Sequence, residues 1–164
     1  MRIIGIDPGL AILGYGIVDI EGNKCRPVDY GAITTDKDLA FPERLAKIHR
    51  ELLALIDKYQ PEEAAFEELF FYNNITTAIS VSQARGVALL ACVNKGLETF
   101  EYTPPQIKLG VVGYGQAEKH QVQEMVKMIL HLDQVPKPDD VADGLAAAIT
   151  HANSRKFKDQ FRIR

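Results

Sequence analysis

Cysteine is scarce in this chain. Cys25 and Cys92 stand far apart and form no Cys-x-x-Cys or Cys/His spacing, so a disulfide framework or a zinc site finds no support. No stretch approaches the roughly 18 consecutive apolar residues of a membrane span, and no basic segment leads into the first apolar run. The expectation is a cytoplasmic protein with no membrane partner. Positive charge is not in excess either: 19 Lys and Arg against 22 Asp and Glu give a net charge of -3. That balance argues mildly against a nucleic-acid partner. Acids gathered at a metal site, however, lower the total without touching a face that meets phosphate. The last ten residues run the other way, with Arg155, Lys156, Lys158, Arg162 and Arg164 against Asp159. Internal repeats and low-complexity segments are missing too. A length of 164 residues suits one domain with a real core, read as residues 1–153 with a basic C-terminal tail over 154–164.

What is present is an alternation of strand and helix signals. Ile3 to Leu10 opens with an apolar run that reads as a buried strand, stopped by Pro8 and Gly9. Ile12 to Ile20 and Lys24 to Thr34 follow as strands joined by short turns, the pattern of an antiparallel meander. From Pro42, Leu45, Ile48, Leu52, Leu55, Ile56 and Tyr59 recur at helical spacing, and Pro61 closes the helix. Ala64 to Phe71 reads as a fourth strand and Gly96 to Tyr102 as a fifth. The helix expected between them, about Thr76 to Asn94, implies a parallel pairing. The remainder reads as a short helix from Pro104 or Pro105 to Val112, a helix from Ala117 to Leu130, and a last helix from Asp139 to Asn153. The fold class is α/β: a five-stranded mixed sheet, three antiparallel strands and then parallel ones, flanked by helices. The 76–94 helix is apolar on nearly every side, so it is expected to be buried all round. Either the C-terminal helices of the same chain wrap it, or a twofold copy covers the face turned away from the sheet.

Four carboxylates invite a chemical reading. Asp7 ends the first strand, where it either caps the Pro-Gly turn or meets a cation. Glu67 lies inside an apolar strand beside Glu68, and alternation sends the two to opposite faces. Asp140 and Asp143 share one face of the last helix, although each alone is an ordinary acid near a helix N-terminus. Asp139 and Asp143 also share a face, so spacing does not decide between Asp139 and Asp140. Together these acids form an all-oxygen donor set suited to Mg²⁺ or Mn²⁺. Phosphodiester hydrolysis is the chemistry such a set serves.

Five segments in order, Ile4-Gly-Ile-Asp-Pro-Gly9, Phe66-Glu-Glu-Leu-Phe70, Gln83-Ala-Arg-Gly86, Val111 to Lys119 and Asp140 to His151, resemble the RuvC family of Holliday-junction resolvases. That family lies within the RNase H-like nucleases, and the match covers nearly the whole chain. The resemblance implies a homodimer that nicks two like-polarity strands of a four-way DNA junction in recombination and repair, leaving 5′ phosphates. It implies two Mg²⁺ ions per site, held by Asp7, Glu67, Asp140 and Asp143, with Mn²⁺ able to substitute. It places Lys119 as a catalytic lysine, Lys108 and Lys119 near the scissile DNA, and Phe70 as an aromatic that stacks on an opened base. Taken alone, Lys119 reads as a surface lysine and Phe70 as a core residue. RuvA and RuvB branch-migration proteins are further implied partners. Gly144, where the family pattern has Ala, points to close helix packing, and His151 reads as a packing residue rather than a ligand. The rivals are an RNase H-like nuclease acting on RNA, a module that holds junctions without cutting, and an actin-like phosphotransferase, for whose second phosphate loop the chain has no room.

Overall fold

The computed structural model describes residues 1–69 and 75–164. Three antiparallel strands come first: β1 (Arg2–Asp7), β2 (Ile12–Glu21) and β3 (Lys24–Thr34). Helix α1 (Phe41–Tyr59) leads to β4 (Glu63–Glu67), and α2 (Ile75–Asn94) to β5 (Glu98–Tyr102). Three helices follow, α3 (Pro104–Val112), α4 (Lys119–Ile129) and α5 (Asp139–Ser154), and then a 3₁₀ segment over Arg155–Phe161. The sheet runs β3-β2-β1-β4-β5. β4 pairs in parallel with both β1 and β5, the mixed arrangement that the sequence leads one to expect.

Period-2 alternation divides the core into two layers. Ile4, Ile6, Ala64 and Phe66 point to the face covered by α1 and α2, with Ile48, Leu52, Ala84 and Ala88. Ile3, Ala65, Phe100 and Tyr102 point to the other face, where Leu145, Ala146 and Ile149 of α5 lie. α5 sits unusually close to the sheet because its contact line is glycine. A Cβ on Gly5 would fall 2.0 Å from the Gly144 carbonyl oxygen, and one on Gly14 would fall 1.9 Å from that of Asp140. Gly144 answers from the helix side, 2.9 Å being left between its own Cβ position and the Tyr15 Cα. The close packing expected at Gly144 is thus one part of a contact built mainly from sheet glycines.

Three expectations change in detail. The fourth strand starts at Glu63 and ends at Glu67 rather than reaching Phe71, since its pairing with β5 closes at Glu67 opposite Tyr102. The fourth helix begins at Lys119 rather than Ala117. Glu118 is its N-cap, and the Gln121 side chain accepts from the Glu118 backbone N–H at 2.7 Å. α2 is not buried all round. Ala84, Ala88, Ala91 and Cys92 face the core, whereas Ile75, Ile79, Leu90 and Val93 stand more than half exposed. By length and composition α2 could cross a membrane, but Arg85 in its middle pairs with Glu101 of β5 at 2.5 Å. That ion pair ties it to the sheet.

The C-terminal residues pack against β5: Phe100 bridges Arg162, and the Ile163 N–H reaches the Thr99 carbonyl at 3.0 Å. Two of the tail's cations are engaged there. Lys158 meets both Glu63 and Glu98, and Arg162 meets Glu98 at 2.6 Å. His151 is fully buried between the Tyr102 hydroxyl and the Glu63 carboxylate, each 2.7 Å from a ring nitrogen. Burial holds its pKa below the ordinary imidazole value against the opposing pull of Glu63. It is a core residue joining β4, β5 and α5.

Candidate metal and DNA-processing site

The β1–β4 register pairs Ile6 with Phe66, so the next residues along, Asp7 and Glu67, come side by side where both strands end. Both lie on the α5 face of the sheet by alternation. Asp7 is also opposite Gly14 in the β1–β2 pairing, and Gly14 is where the first turn of α5 touches down. The glycine contact therefore carries the acids of that helix to the strand ends. Carboxylate oxygens of Asp7, Glu67 and Asp143 lie within 4.8 Å of one another.

Asp140, one turn earlier on α5, lies outside that tight trio among the described residues, but its charge acts on both Asp7 and Glu67. Asp139 takes Lys137 at 2.7 Å and also holds Lys119 at 3.6 Å, and its charge acts on Asp143 as well. The Lys137 contact depresses its pKa.

The three gathered acids are all pushed upward in pKa. Asp7 is shifted most, first by burial and then by Glu67, Asp143 and Asp140. Glu67 rises through burial and Asp143, with a hydrogen bond from Asp7 and the charge of Lys119 opposing. Asp143 rises through burial, again with Lys119 opposing. Like charges so close hold protons unless a cation joins them. The all-oxygen donors and their convergence fit a hard divalent ion such as Mg²⁺ or Mn²⁺.

Lys119 reaches Asp143 at 3.2 Å from the first turn of α4. A cation there opposes the helix dipole, so its position is set by the acids in front of it. Burial lowers its pKa, but Asp143 and Asp139 outweigh burial and the net shift is upward. Lys119 stays charged. Beside the acids lies a cleft of about 250 Å³ lined by Glu67, Asp143, Lys119, Lys108, Ile107 and Val122. Lys108 comes from α3, whose start is fixed by a capping box: the Thr103 side chain accepts from the Gln106 N–H at 3.3 Å, and Gln106 returns the bond at 2.9 Å. The apolar wall that Ile107 and Val122 give this cleft was not legible in the sequence, because it arises where α3 and α4 meet. Phe70 lies outside the described residues.

The model of crossover junction endodeoxyribonuclease RuvC matches residues 3–151. The chain belongs to the RuvC family. Curated relatives named crossover junction endodeoxyribonuclease RuvC include those of Alkaliphilus oremlandii, 58% identical over the whole of both chains, and Finegoldia magna, 56% identical over 96% of each. Among solved structures, Thermus thermophilus RuvC in complex with Holliday junction substrate superposes with a TM-score of 0.94 at 35% identity, covering 99% of each chain. The yeast mitochondrial Holliday junction resolvase Ydc2 shares the architecture alone, with a TM-score of 0.68 at 13% identity over 96% of this chain and 82% of its own. The RNase H-like α/β fold expected of the RuvC family is therefore the fold observed.

Proposed function

We infer that this chain is a crossover junction endodeoxyribonuclease that resolves Holliday junctions in DNA recombination and repair. Membership of the RuvC family, at high identity over the full length of named relatives, carries this reading. The convergence of Asp7, Glu67 and Asp143 beside Lys119 supports hydrolysis over a module that only holds junctions.

Asp7, Glu67, Asp140 and Asp143 are the residues that would hold divalent metal, with Mg²⁺ the proposed ion, two per site, and Mn²⁺ able to substitute. Such ions, when bound, activate water and neutralise charge on a phosphate undergoing in-line displacement. The chain's own part is positional and electrostatic. Asp7 and Glu67 are fixed to paired strand ends, so they cannot drift apart as charge builds. The protons kept by the metal-free cluster must leave for the ligand set to form, which makes the site dependent on pH. Lys119, 3.2 Å from Asp143, would offer its charge to the phosphate, and Lys108 would line the path of the strand beyond. Phe70 is proposed to stack on an opened base. The product carries a 5′ phosphate.

Two sites are needed for symmetric nicks on strands of like polarity, so the acting form is proposed to be a homodimer. The exposed stripe of Ile75, Ile79, Leu90 and Val93 on α2 supports a covering copy, since the chain's own C-terminal helices leave it open. RuvA and RuvB are proposed partners, and the cytoplasm is the proposed compartment.

The test is cleavage with Mg²⁺ of a synthetic four-way junction, a linear duplex and an RNA/DNA hybrid, run beside Asp7→Asn. Paired symmetric nicks on the junction alone, lost in the variant, are expected. Cutting of the hybrid in preference to the junction would overturn the resolvase reading.

A further inference from the structure

The pole opposite the carboxylates carries a feature that junction cutting does not use. α5 runs 16 residues from the acids to Ser154, about 24 Å at the helical rise. There it meets the turn between β2 and β3, the end of α4 and the first residues of the 3₁₀ segment. Two adjoining cavities of about 460 and 590 Å³ open between these pieces and share Asn23, Lys24, Cys25 and Asn153 in their walls.

Their floor is mixed, with apolar atoms of Ile129 and Ala152 over the nearly buried Ile20 and Ile149, beside polar groups. Cys25 joins it as a neutral thiol, its pKa pushed up to about 11 by burial. The rim carries Lys24, Arg26, Arg155 and Lys156, and no Asp or Glu is among the described residues lining either cavity. Arg26 is partly offset by Glu21, 3.6 Å away. Lys24, Arg155 and Lys156 are exposed. The carboxyl ends of α4 and α5 bring about half a negative charge each, less than these three cations supply. In a chain of net charge -3, this concentration of one sign at one pole is a local property.

We propose that this cleft docks an acidic segment of a partner protein, with apolar side chains entering the floor and carboxylates meeting Lys24, Arg155 and Lys156. A nucleic-acid backbone would satisfy the rim, but it has no apolar group for the floor. A peptide of acids interrupted by leucines has both. Because the cleft lies at the far pole, such a partner can stay bound while DNA occupies the carboxylate end. The proposal goes beyond junction cutting and does not rest on it.

The experiment is fluorescence anisotropy of the full chain with a short labelled peptide of glutamates interrupted by leucines. A glutamate-only peptide and a linear DNA duplex serve as the other probes. The variant is Lys24→Glu combined with Lys156→Glu, both at exposed positions, with its melting temperature taken to establish folding. Saturable binding of the mixed peptide, weakened about tenfold or more in the variant, with duplex affinity unchanged, is expected. Equal binding of the glutamate-only peptide would overturn the proposal by leaving the floor idle. So would mixed-peptide binding that is absent or unmoved by charge reversal. A fall in duplex affinity in the variant would reassign the pole to DNA and overturn it as well. Loss of junction cutting in the wild-type chain with peptide binding intact would instead strike the resolvase reading alone.

Discussion

Asp7 shows how a single carboxyl can work against the fold that holds it. Its pKa is raised in the native chain by burial and by Glu67 and Asp143, whereas in the unfolded chain it ionises like an ordinary carboxyl, near 4. Below that value both states are protonated and the group contributes nothing. As pH rises through the gap between the two pKa values, the unfolded chain gains from ionising first, so metal-free stability falls. Asp7→Asn removes this penalty. The variant should lose junction cutting, keep junction binding, and melt several degrees higher than wild type in chelator at neutral pH, on the scale of about 2 to 4 °C per kcal/mol. Calorimetry across pH checks it: the difference should vanish below about pH 4, and a constant difference would make the gain a packing effect. Lys119 faces the same cluster with the opposite sign. Lys119→Met should lower the cleavage rate by on the order of 10² with junction affinity much less affected, measured under single-turnover conditions.

At the scale of elements, the contact of α5 with the sheet decides whether the acids meet. Gly14 accepts the first turn of α5 against its backbone, its Cβ position being only 1.9 Å from the Asp140 oxygen. Gly14→Ala should therefore displace the helix that carries Asp140 and Asp143. A stability loss of about 1 to 3 kcal/mol is expected, with cutting reduced far beyond what the lost stability accounts for. Denaturant titration and cleavage of the folded fraction separate the two. α2 makes a different demand. Its exposed stripe leaves large apolar side chains in water, each worth roughly 1.5 to 3 kcal/mol when fully buried. Leu90→Asp, at a position already more than half exposed in one chain, should preserve the fold and shift sedimentation toward the monomer, with paired nicks giving way to single ones.

For the whole molecule, most of the architecture was legible because its signals are local. Pro-Gly after Ile6 and Asp7, the stripe from Leu45 to Tyr59 and the acids opening α5 are each short-range features, and each marks an element that exists. What stayed hidden depends on elements far apart in sequence. Asp139 and Asp140 look alike in sequence, and only the fold brings the first to Lys137 and Lys119. Glu63 gives no sign in sequence that it will be buried against His151 and Lys158. The exposed half of α2 could not be told from its buried half, because both are apolar and only packing against α1 and β5 separates them. Asp7, Glu67 and Asp143, which the fold gathers, could be singled out because a carboxylate in an apolar strand is locally odd and one at a strand end before Pro-Gly has a second use besides capping. Their assembly also yields a global expectation. Mg²⁺ or Mn²⁺ should raise the melting temperature, and more so as pH rises toward neutrality, because fewer protons then compete for the carboxylates. A thermal shift that is independent of pH would count against a carboxylate-bound ion.

The glycine contact also bears on how such a sequence can change over time. Gly5 and Gly14 carry no functional group and take no part in chemistry, yet each has a helix carbonyl about 2 Å from where its side chain would begin. In a library of all single substitutions scored by resolution of junctions, these two positions should be as empty of survivors as Asp7. The rim lysines at the far pole should vary freely in the same screen. Intolerance in that map would follow the line along which helix and sheet are pressed together, and a catalytic inventory drawn from it would count as reactive two residues that have nothing to react with.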